Sequence, residues 1–319
     1  MEGRFVAELI RGYDIAENHD EWLKLRSKGL GGSDIGSVLG LNPYKSPYQV
    51  WLEKTGQLEP EDLSDKVAIQ IGNELEDLVA RMFTQQTGKS VRKDNKTHYH
   101  KEYPFLLANI DRKVTAEHAL LECKTTSAFN ADQWKGDNIP ASYLMQVQHY
   151  LNVLDYDRAY IAVIIGNHDF VYKEIEKDPE LIDLYQEQAV KFWTENVMQM
   201  IEPEVDGSYS TKQALESVAY EPGKAEPLQP AQREIAEYIL SMKQDIKLQQ
   251  DLQKQSENIL KDYMAKNELT ELTSESMAIT WKTVKRKTID SKRLKTERPD
   301  IYEEYSKESS SKRFEIKER

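Results

Sequence analysis

ALLECKTTS, residues 119–127, is an apolar run that leads into an acid and a base two positions apart. If this stretch is a β-strand, its side chains alternate between two faces, so that Glu122 and Lys124 share one face and Cys123 lies on the other. A short apolar run that ends in Thr and Ser is typical of a central strand buried on both sides. The stretch alone leaves open whether Glu122 and Lys124 form an ion pair or belong to a site.

The preceding stretch, FLLANIDRKV (105–114), predicts a neighbouring strand with Asp111 at the end of FLLANID. Adjacent strand ends would bring Asp111, Glu122 and Lys124 to one point. Two carboxylates offer the oxygen ligands that Mg²⁺ prefers. The lysine can orient or deprotonate a water molecule, or stabilise charge on a phosphate, and these groups together suit metal-assisted hydrolysis of a phosphodiester. The spacing from Asp111 to Glu122 is loose by itself.

Helices are predicted on both sides of these strands. Residues 67–88 carry apolar residues on one side, and Glu76 borders that side better than Glu74 does. Residues 142–154 form a second predicted helix, on which Gln146 and Tyr150 are four positions apart and share a face. The order of helices, strands, helix, strands and helix predicts an α/β layer fold.

The C-terminal third differs in pattern from the rest of the chain. Four prolines fall between residues 203 and 230, and we predict a first domain at 1–205, a linker at 206–230 and a C-terminal region at 231–319. That region begins with a long helix bearing a weak coiled-coil seam, and a strand (277–284) and a short helix follow. The role of this region is left open.

Composition sets further limits. The chain has 319 residues, a net charge of −12 and one cysteine, which excludes an internal disulfide and a cysteine-cluster metal site. There is no apolar run long enough to span a membrane and no apolar core of a signal peptide, so we expect a protein of the reducing cytoplasm. The acidic balance argues mildly against a nonspecific coat for nucleic acid.

A series of motifs resembles a known family. The segments RSKGLGGSDIGSVLGLNPYKSPYQVWLEKTG (26–56), GNELE (72–76), ANID (108–111), LECK (121–124) and QVQHY (146–150) occur in this order. Together they resemble the YqaJ-type viral recombinases, relatives of phage lambda exonuclease within the PD-(D/E)XK nuclease superfamily. The block GGSD–NPYKSPY–WLEKTG is the most specific part.

The resemblance implies a restriction-endonuclease-like core, in which helices flank a central mixed sheet, with a mainly helical appendage. It implies a Mg²⁺-dependent exonuclease, with Mn²⁺ as a substitute, acting on linear double-stranded DNA from the 5′ end. The resulting 3′ overhang would serve a single-strand annealing protein. It also implies a possible ring of three subunits and a phage or prophage origin in a bacterial cell.

The resemblance also assigns roles to residues. Asp111 and Glu122 would bind the metal together with the Cys123 carbonyl, and Lys124 would be the catalytic lysine. Glu76 would assist through metal-bound water. The remaining assignments place Gln146 in the site and Arg26, Ser33 and Tyr150 on the DNA, with Arg26 and Ser33 at the 5′-phosphate. The proline of the superfamily name is absent, because Ile110 precedes Asp111.

The sequence is also compatible with other functions. One alternative is an endonuclease or single-strand nuclease of the same superfamily, although a single cysteine cannot hold the iron–sulfur cluster of Cas4-like enzymes. Another is a non-catalytic module that binds DNA ends. The basic stretch WKTVKRKTIDSKRLK (281–295) suggests a further contact with DNA.

Overall fold

The computed structural model describes residues 25–60, 65–218, 225–308 and 312–317. The chain divides into two compact units, Met1–Tyr220 and Glu221–Arg319. Within the described ranges, no helix combines the length and the apolar character that crossing a membrane requires.

The first unit holds six α-helices and eight strands among its described residues. It begins with β1 (Leu30–Gly31), α1 (Gly32–Val38), α2 (Pro47–Lys54) and α3 (Val67–Thr87). Five strands follow: β2 (Val91–Lys93), β3 (His98–Tyr99), β4 (Leu106–Ala108), β5 (Arg112–Val114) and β6 (Ala119–Thr126). After a 3₁₀ segment (Ala128–Trp134) come α4 (Ala141–Leu154), β7 (Arg158–Ile165), β8 (Asp169–Glu176), α5 (Pro179–Lys191), a π-helical turn (Phe192–Val197) and α6 (Tyr209–Ser217).

Local sequence signals explain several helix ends. Ser46 accepts a hydrogen bond from the Gln49 N–H at the start of α2, and Pro47 occupies the first helical position. Gly88 ends α3 in the left-handed region at φ 73°, where a residue without Cβ carries no steric penalty.

Two sheets organise the first unit. The larger has the order β2-β5-β6-β7-β8, and only β6 and β7 run parallel. Their connection passes through α4, as a parallel pair requires a crossover. A smaller sheet has the order β1-β4-β3.

The large sheet is covered on both faces. Leu121 packs with Val79 and Phe83 of α3 in one core, whereas Leu120 packs in the other core with residues of α1, α2 and α4. Neighbours in β6 therefore face opposite sides, as the alternation predicted. The expected fold class, a mixed sheet flanked by helices and followed by a mainly helical C-terminal region, is confirmed.

The strand predicted at 105–114 is interrupted. Its first part is β4 in the smaller sheet, and its last part is β5 in the larger sheet. Between them Asn109 turns its amide to Thr97, with 2.8 Å from Nδ2 to Oγ1. Asp111 thus precedes β5 instead of ending a continuous strand, because the chain passes here from one sheet to the other.

Part of the predicted linker is structured. Ser208 caps α6 by accepting a hydrogen bond from the Thr211 N–H. Ser210 Oγ accepts one from the Ser46 N–H at 3.0 Å and donates one to Gln49 Oε1 at 2.5 Å. These bonds attach α6 to α2, so the linker assignment is wrong for residues 209–217.

The second unit starts with α7 (Pro230–Lys266), the long helix predicted from the sequence. A hairpin of β9 (Glu271–Thr273) and β10 (Ala278–Thr280) follows, and then α8 (Ser291–Glu297) and α9 (Pro299–Glu304). The strand predicted at 277–284 is thus only three residues long. Phe314 and Ile316, in the described residues 312–317, lie in no strand.

Candidate active site

Asp111 lies beside β6 at the position of Glu122. Arg112 of β5 pairs with Leu121 of β6 in antiparallel register, and the same register places Asp111 opposite Glu122. The Cys123 N–H donates a hydrogen bond of 2.7 Å to Asp111 Oδ2. The two carboxylates are therefore neighbours, as their predicted roles require.

Glu122 is the centre of a hydrogen-bond network. Its Oε1 accepts from Lys124 Nζ at 2.6 Å and from Gln146 Nε2 at 2.8 Å. Gln146 Nε2 also donates to the Tyr150 hydroxyl at 2.9 Å. Gln146 and Tyr150 reach the site together because they lie on one face of α4, which covers this face of the sheet.

The second oxygen of Glu122 has no hydrogen-bond partner among the described residues, although Glu122 is only 2% exposed. Burial and then the Glu122 carboxylate raise the pKa of Asp111 to about 8. An unpartnered buried oxygen beside a second carboxylate is the electrostatic situation that a divalent cation relieves. The residues present therefore fit a metal site.

The metal would not rest on side chains alone. In the described part of the chain, no group of three or more His, Cys, Asp and Glu side chains is placed to hold a metal ion. Mg²⁺ commonly keeps several water ligands and takes only one or two carboxylates from the protein. Asp111, Glu122 and a main-chain carbonyl such as that of Cys123 satisfy this requirement.

Lys124 lies between the carboxylates and an aromatic ring. Burial opposes its charge, but Glu122 and Asp111 outweigh burial and raise the pKa of Lys124 above its usual value. Its Nζ also lies 5.0 Å from the centre of the Tyr143 ring, a cation–π distance. Lys124 is thus a cation with a fixed position next to the candidate metal ligands.

Glu76 forms an ion pair with Arg112, a contact that its predicted role did not include. Its carboxylate is bonded to Arg112 Nη1, and Arg112 Nη2 bonds Asp77 Oδ1 at 2.5 Å. Glu76 still contributes to the raised pKa of Asp111 through its charge. It therefore borders the site but does not contact Asp111, Glu122 or Lys124 through any described hydrogen bond.

The predicted phosphate-binding pair is also brought together. Arg26 Nη2 donates a hydrogen bond of 3.1 Å to Ser33 Oγ in the first turn of α1. The ring of Tyr150 packs against Gly32 in the same turn. Tyr150 therefore connects this pair to the network of Glu122.

Sequence reasoning missed Arg112 and Tyr143. Arg112 follows Asp111 and therefore lies on the opposite face of the sheet, toward α3. Strand alternation was the signal that could have found it. Tyr143 is three positions before Gln146 on the same helix, the spacing at which side chains meet. Cys123 faces the core beneath α3, where burial raises the pKa of its thiol.

Comparison with known proteins identifies the family. The model of the YqaJ-like viral recombinase domain matches residues 21–157. The chain is 43% identical over 305 residues to the protein YqaJ of Bacillus subtilis (strain 168), across 94% of this chain and 95% of that protein. The protein therefore belongs to the YqaJ-like viral recombinase family, which confirms the resemblance of the motifs and supports a nuclease role.

Two solved structures are similar to this chain. One is an alkaline exonuclease from Laribacter hongkongensis, with 16% identity and a TM-score of 0.47, over 61% of this chain and 98% of the other. Another is a phage-related exonuclease from Haemophilus somnus 129PT, with 17% identity and a TM-score of 0.42, over 54% of this chain and 96% of the other.

Proposed function

We propose that the protein is a Mg²⁺-dependent exonuclease, with Mn²⁺ as a substitute, that degrades one strand of linear double-stranded DNA from its 5′ end. The observation that carries this proposal is the buried oxygen of Glu122 that has no described partner. It lies beside Asp111, and Lys124 and Gln146 fix the other oxygen. Family membership supports DNA as the substrate.

Each residue has a distinct task in this proposal. Asp111, Glu122 and the Cys123 carbonyl would hold the cation, which would supply Lewis-acid stabilisation of the phosphate and activation of the attacking water. Gln146 keeps the Glu122 carboxylate in one orientation, because its amide binds both Glu122 and Tyr150. Lys124 stabilises the negative charge that builds up on the phosphate during attack.

Arg26 and Ser33 would bind the 5′-phosphate. A guanidinium forms two parallel hydrogen bonds to phosphate oxygens, and the Ser33 hydroxyl lies 3.1 Å from that guanidinium. The pair would make the enzyme prefer a phosphorylated end. Tyr150 would contact the DNA between this pair and Glu122.

The products define the proposed partners. Removal of one strand leaves a 3′ overhang, which a single-strand annealing protein would bind. A ring of three subunits around the DNA would keep the enzyme on its substrate. The molar mass of the protein in solution, measured with and without DNA, tests whether three subunits form the ring.

The function is tested by digestion of linear duplex DNA in Mg²⁺. Substrates with 5′-phosphate and 5′-hydroxyl ends are compared, for the wild type and for Lys124→Ala. We expect faster loss of the phosphorylated strand and a drop of at least about 10²-fold in the variant. Cleavage of closed circles would point to an endonuclease. End binding without any cleavage would point to a non-catalytic module.

A further inference from the structure

Two residues of the most specific motif block have no role in the site described above. Asp34 of GGSD and Lys54 of WLEKTG form an ion pair of 2.8 Å, with side chains 2% and 6% exposed. Moving two charges out of water is costly unless each is fully paired. A buried pair of this kind therefore needs a structural or functional reason.

The ion pair contacts the main chain at Arg26 itself and at Gly31, two positions before Ser33. Lys54 Nζ donates a hydrogen bond of 2.7 Å to the Arg26 carbonyl. Asp34 Oδ2 accepts one of 3.1 Å from the Gly31 N–H. The ion pair thus ties the backbone of Arg26 to the first turn of α1, which carries Ser33.

The surrounding cations stabilise the charge of Asp34, whereas burial lowers the pKa of Lys54 despite the neighbouring Asp34 carboxylate. Burial favours the neutral acid, but Lys54, Lys45 and Arg26 outweigh it and hold the pKa of Asp34 below its usual value. Lys45 lies 3.6 Å from Asp34 and is bonded to Glu53 at 2.5 Å. Loss of Lys54 would leave Asp34 buried without its closest cation.

We propose that Asp34 and Lys54 are positioning residues that hold the Arg26 guanidinium at the Ser33 hydroxyl and so preform the 5′-phosphate pocket. This inference rests on the proposed function. It assigns no contact with DNA to either residue. Their effect on the reaction is to make a phosphorylated end bind more tightly than a hydroxyl end.

The experiment compares Lys54→Met and the conservative Lys54→Arg with the wild type. Lys89→Met is the control, since Lys89 pairs with Glu117 at the surface beside Tyr160, away from Arg26 and Ser33. KM and kcat are measured on duplexes with 5′-phosphate and 5′-hydroxyl ends. Hydrogen exchange of the peptide covering residues 26–33 is measured on the free proteins.

We expect Lys54→Met to raise KM about 10-fold on phosphorylated ends, the loss of roughly one charge-assisted hydrogen bond. We expect kcat to stay within about twofold and the KM on hydroxyl ends to be unchanged. Exchange in 26–33 should increase. Lys54→Arg should recover part of the preference for 5′-phosphate over 5′-hydroxyl ends, and Lys89→Met should retain that preference in full. Unchanged exchange, or an unchanged preference for phosphate, overturns the proposal.

Two controls keep the outcomes separate. If Lys54→Met does not fold, the pair Asp34→Asn with Lys54→Gln removes both charges and retains hydrogen-bonding groups. If the wild type degrades no DNA, the proposed function fails. In that case, binding of duplexes with 5′-phosphate and 5′-hydroxyl ends, read by fluorescence anisotropy, still decides the role of Asp34 and Lys54.

A second, independent observation concerns the basic segment, residues 281–295 of the second unit. It holds seven Lys and Arg residues and one acid, in a chain of net charge −12. Lys282 is paired with Glu271 at 3.1 Å and Arg293 with Glu297 at 2.7 Å. The three consecutive cations Lys285, Arg286 and Lys287 are exposed and form no ion pair within the described residues.

The basic segment also exposes apolar side chains. Trp281, Val284 and Ile289 are 46%, 84% and 77% exposed. Residues 281–290 have no regular secondary structure and follow directly from the β10 strand. Cations interleaved with an exposed aromatic ring on a backbone without regular secondary structure are typical of a surface that binds nucleic acid without reading its sequence.

We infer that the basic segment binds the phosphate backbone of the same DNA that the first unit cleaves. The test is a triple charge reversal, Lys285→Glu, Arg286→Glu and Lys287→Glu, in the Lys124→Ala background, where we expect cleavage to be at least about 10²-fold slower. The control reverses Arg233, Lys243 and Lys247 on α7 to Glu and changes the net charge equally. DNA binding is measured by anisotropy over a range of salt concentrations.

We expect the reversal in the basic segment to weaken binding at least about 10-fold and to reduce the salt slope by about 2 to 3, at roughly 0.9 per phosphate contact. The control variant should retain most of the DNA affinity and most of the salt slope. Equal losses in the two variants would indicate general electrostatics and overturn the inference. Unchanged affinity and slope would also overturn it and direct attention to an acidic protein partner. No DNA binding by the parent protein would instead contradict the proposed function.

Discussion

Gly32 lies directly against the ring of Tyr150: a Cβ atom on Gly32 would be 2.7 Å from Cζ and 2.9 Å from the hydroxyl oxygen. Real Cβ atoms do not approach other heavy atoms so closely. The backbone of α1 can therefore reach α4 only because residue 32 has no side chain. This contact joins the helix of Ser33 to the helix of Gln146.

Gly32→Ala should lower the free energy of unfolding by about 1–3 kcal/mol, the usual cost of overpacking. Denaturant unfolding measures this loss. Gly31→Ala is the matched control, because its Cβ would be 3.8 Å from the nearest atom, Asp34 Oδ2. Adding Tyr150→Leu to Gly32→Ala should recover part of the loss, and an additive loss would contradict the steric explanation.

Divalent metal should stabilise the folded protein through Asp111 and Glu122. Binding to the folded state alone adds about 2.7 kcal/mol at a metal concentration 100 times Kd. Thermal unfolding with and without Mg²⁺ or Mn²⁺ measures the shift, and Asp111→Asn or Glu122→Gln should abolish it. Glu117→Gln is the control, since Glu117 pairs with Lys89 away from these carboxylates. A shift that survives both site variants would place the metal elsewhere.

Arg112→Met should destabilise the protein through the loss of its bond to Glu76. A broken buried pair costs about 3–5 kcal/mol, but Glu76 and Asp77 are 26% and 70% exposed. Water can therefore solvate both carboxylates in the variant, and we expect the free energy of unfolding to fall by about 2 kcal/mol. Double-mutant cycles should give a larger coupling of Arg112 with Glu76→Gln than with Asp77→Asn. A larger coupling energy of Arg112 with Asp77 than with Glu76 would contradict the explanation that the more buried carboxylate forms the stronger pair.

His149 should make stability depend on pH in the acid range. Burial lowers its pKa from 6.5 to about 4, and its Nε2–H donates to the Leu107 carbonyl at 2.9 Å. Between pH 6.5 and pH 4, His149 is protonated in the unfolded chain but neutral in the folded protein. The free energy of unfolding therefore decreases as the pH falls from 6.5 to 4, and it is fully retained above pH 6.5. The difference corresponds to about 3 kcal/mol.

The measurement is unfolding of the wild type and His149→Gln at several pH values. Glutamine keeps a donor for Leu107 and does not titrate in this range. We expect a shallower pH dependence in the variant between pH 6.5 and 4. Parallel curves for the two proteins would show that His149 contributes nothing to it.

Periodicity predicted much of what positions the site. The alternation in β6 separated Glu122 and Lys124 from Cys123, and the spacing of four on α4 brought Gln146 and Tyr150 together. Both patterns are local, because the direction of each side chain depends only on its position within one strand or one helix. The catalytic roles of these residues stay predictions.

Other features depend on contacts between distant elements. FLLANI is apolar except for Asn109, and a single polar residue does not by itself mark the passage from β4 to β5. The pairing of Asp34 with Lys54 requires the packing of α1 on α2, which spacing alone does not fix. Helix α6 was obscured by the prolines around it, and its attachment depends on Ser46, far away in sequence.

The order of contacts along the chain affects how the protein opens. The bond between Gln146 and Glu122 closes a loop of 24 residues, whereas the bond between Ser46 and Ser210 spans 164. Helix α6 buries only Ser210, Thr211 and Ala214, whereas α4 buries eight residues. Helix α6 should therefore detach at a lower free energy than β6, α4 and β7 separate. The first unit can thus fray at α6 while the hydrogen bonds of Glu122 stay closed.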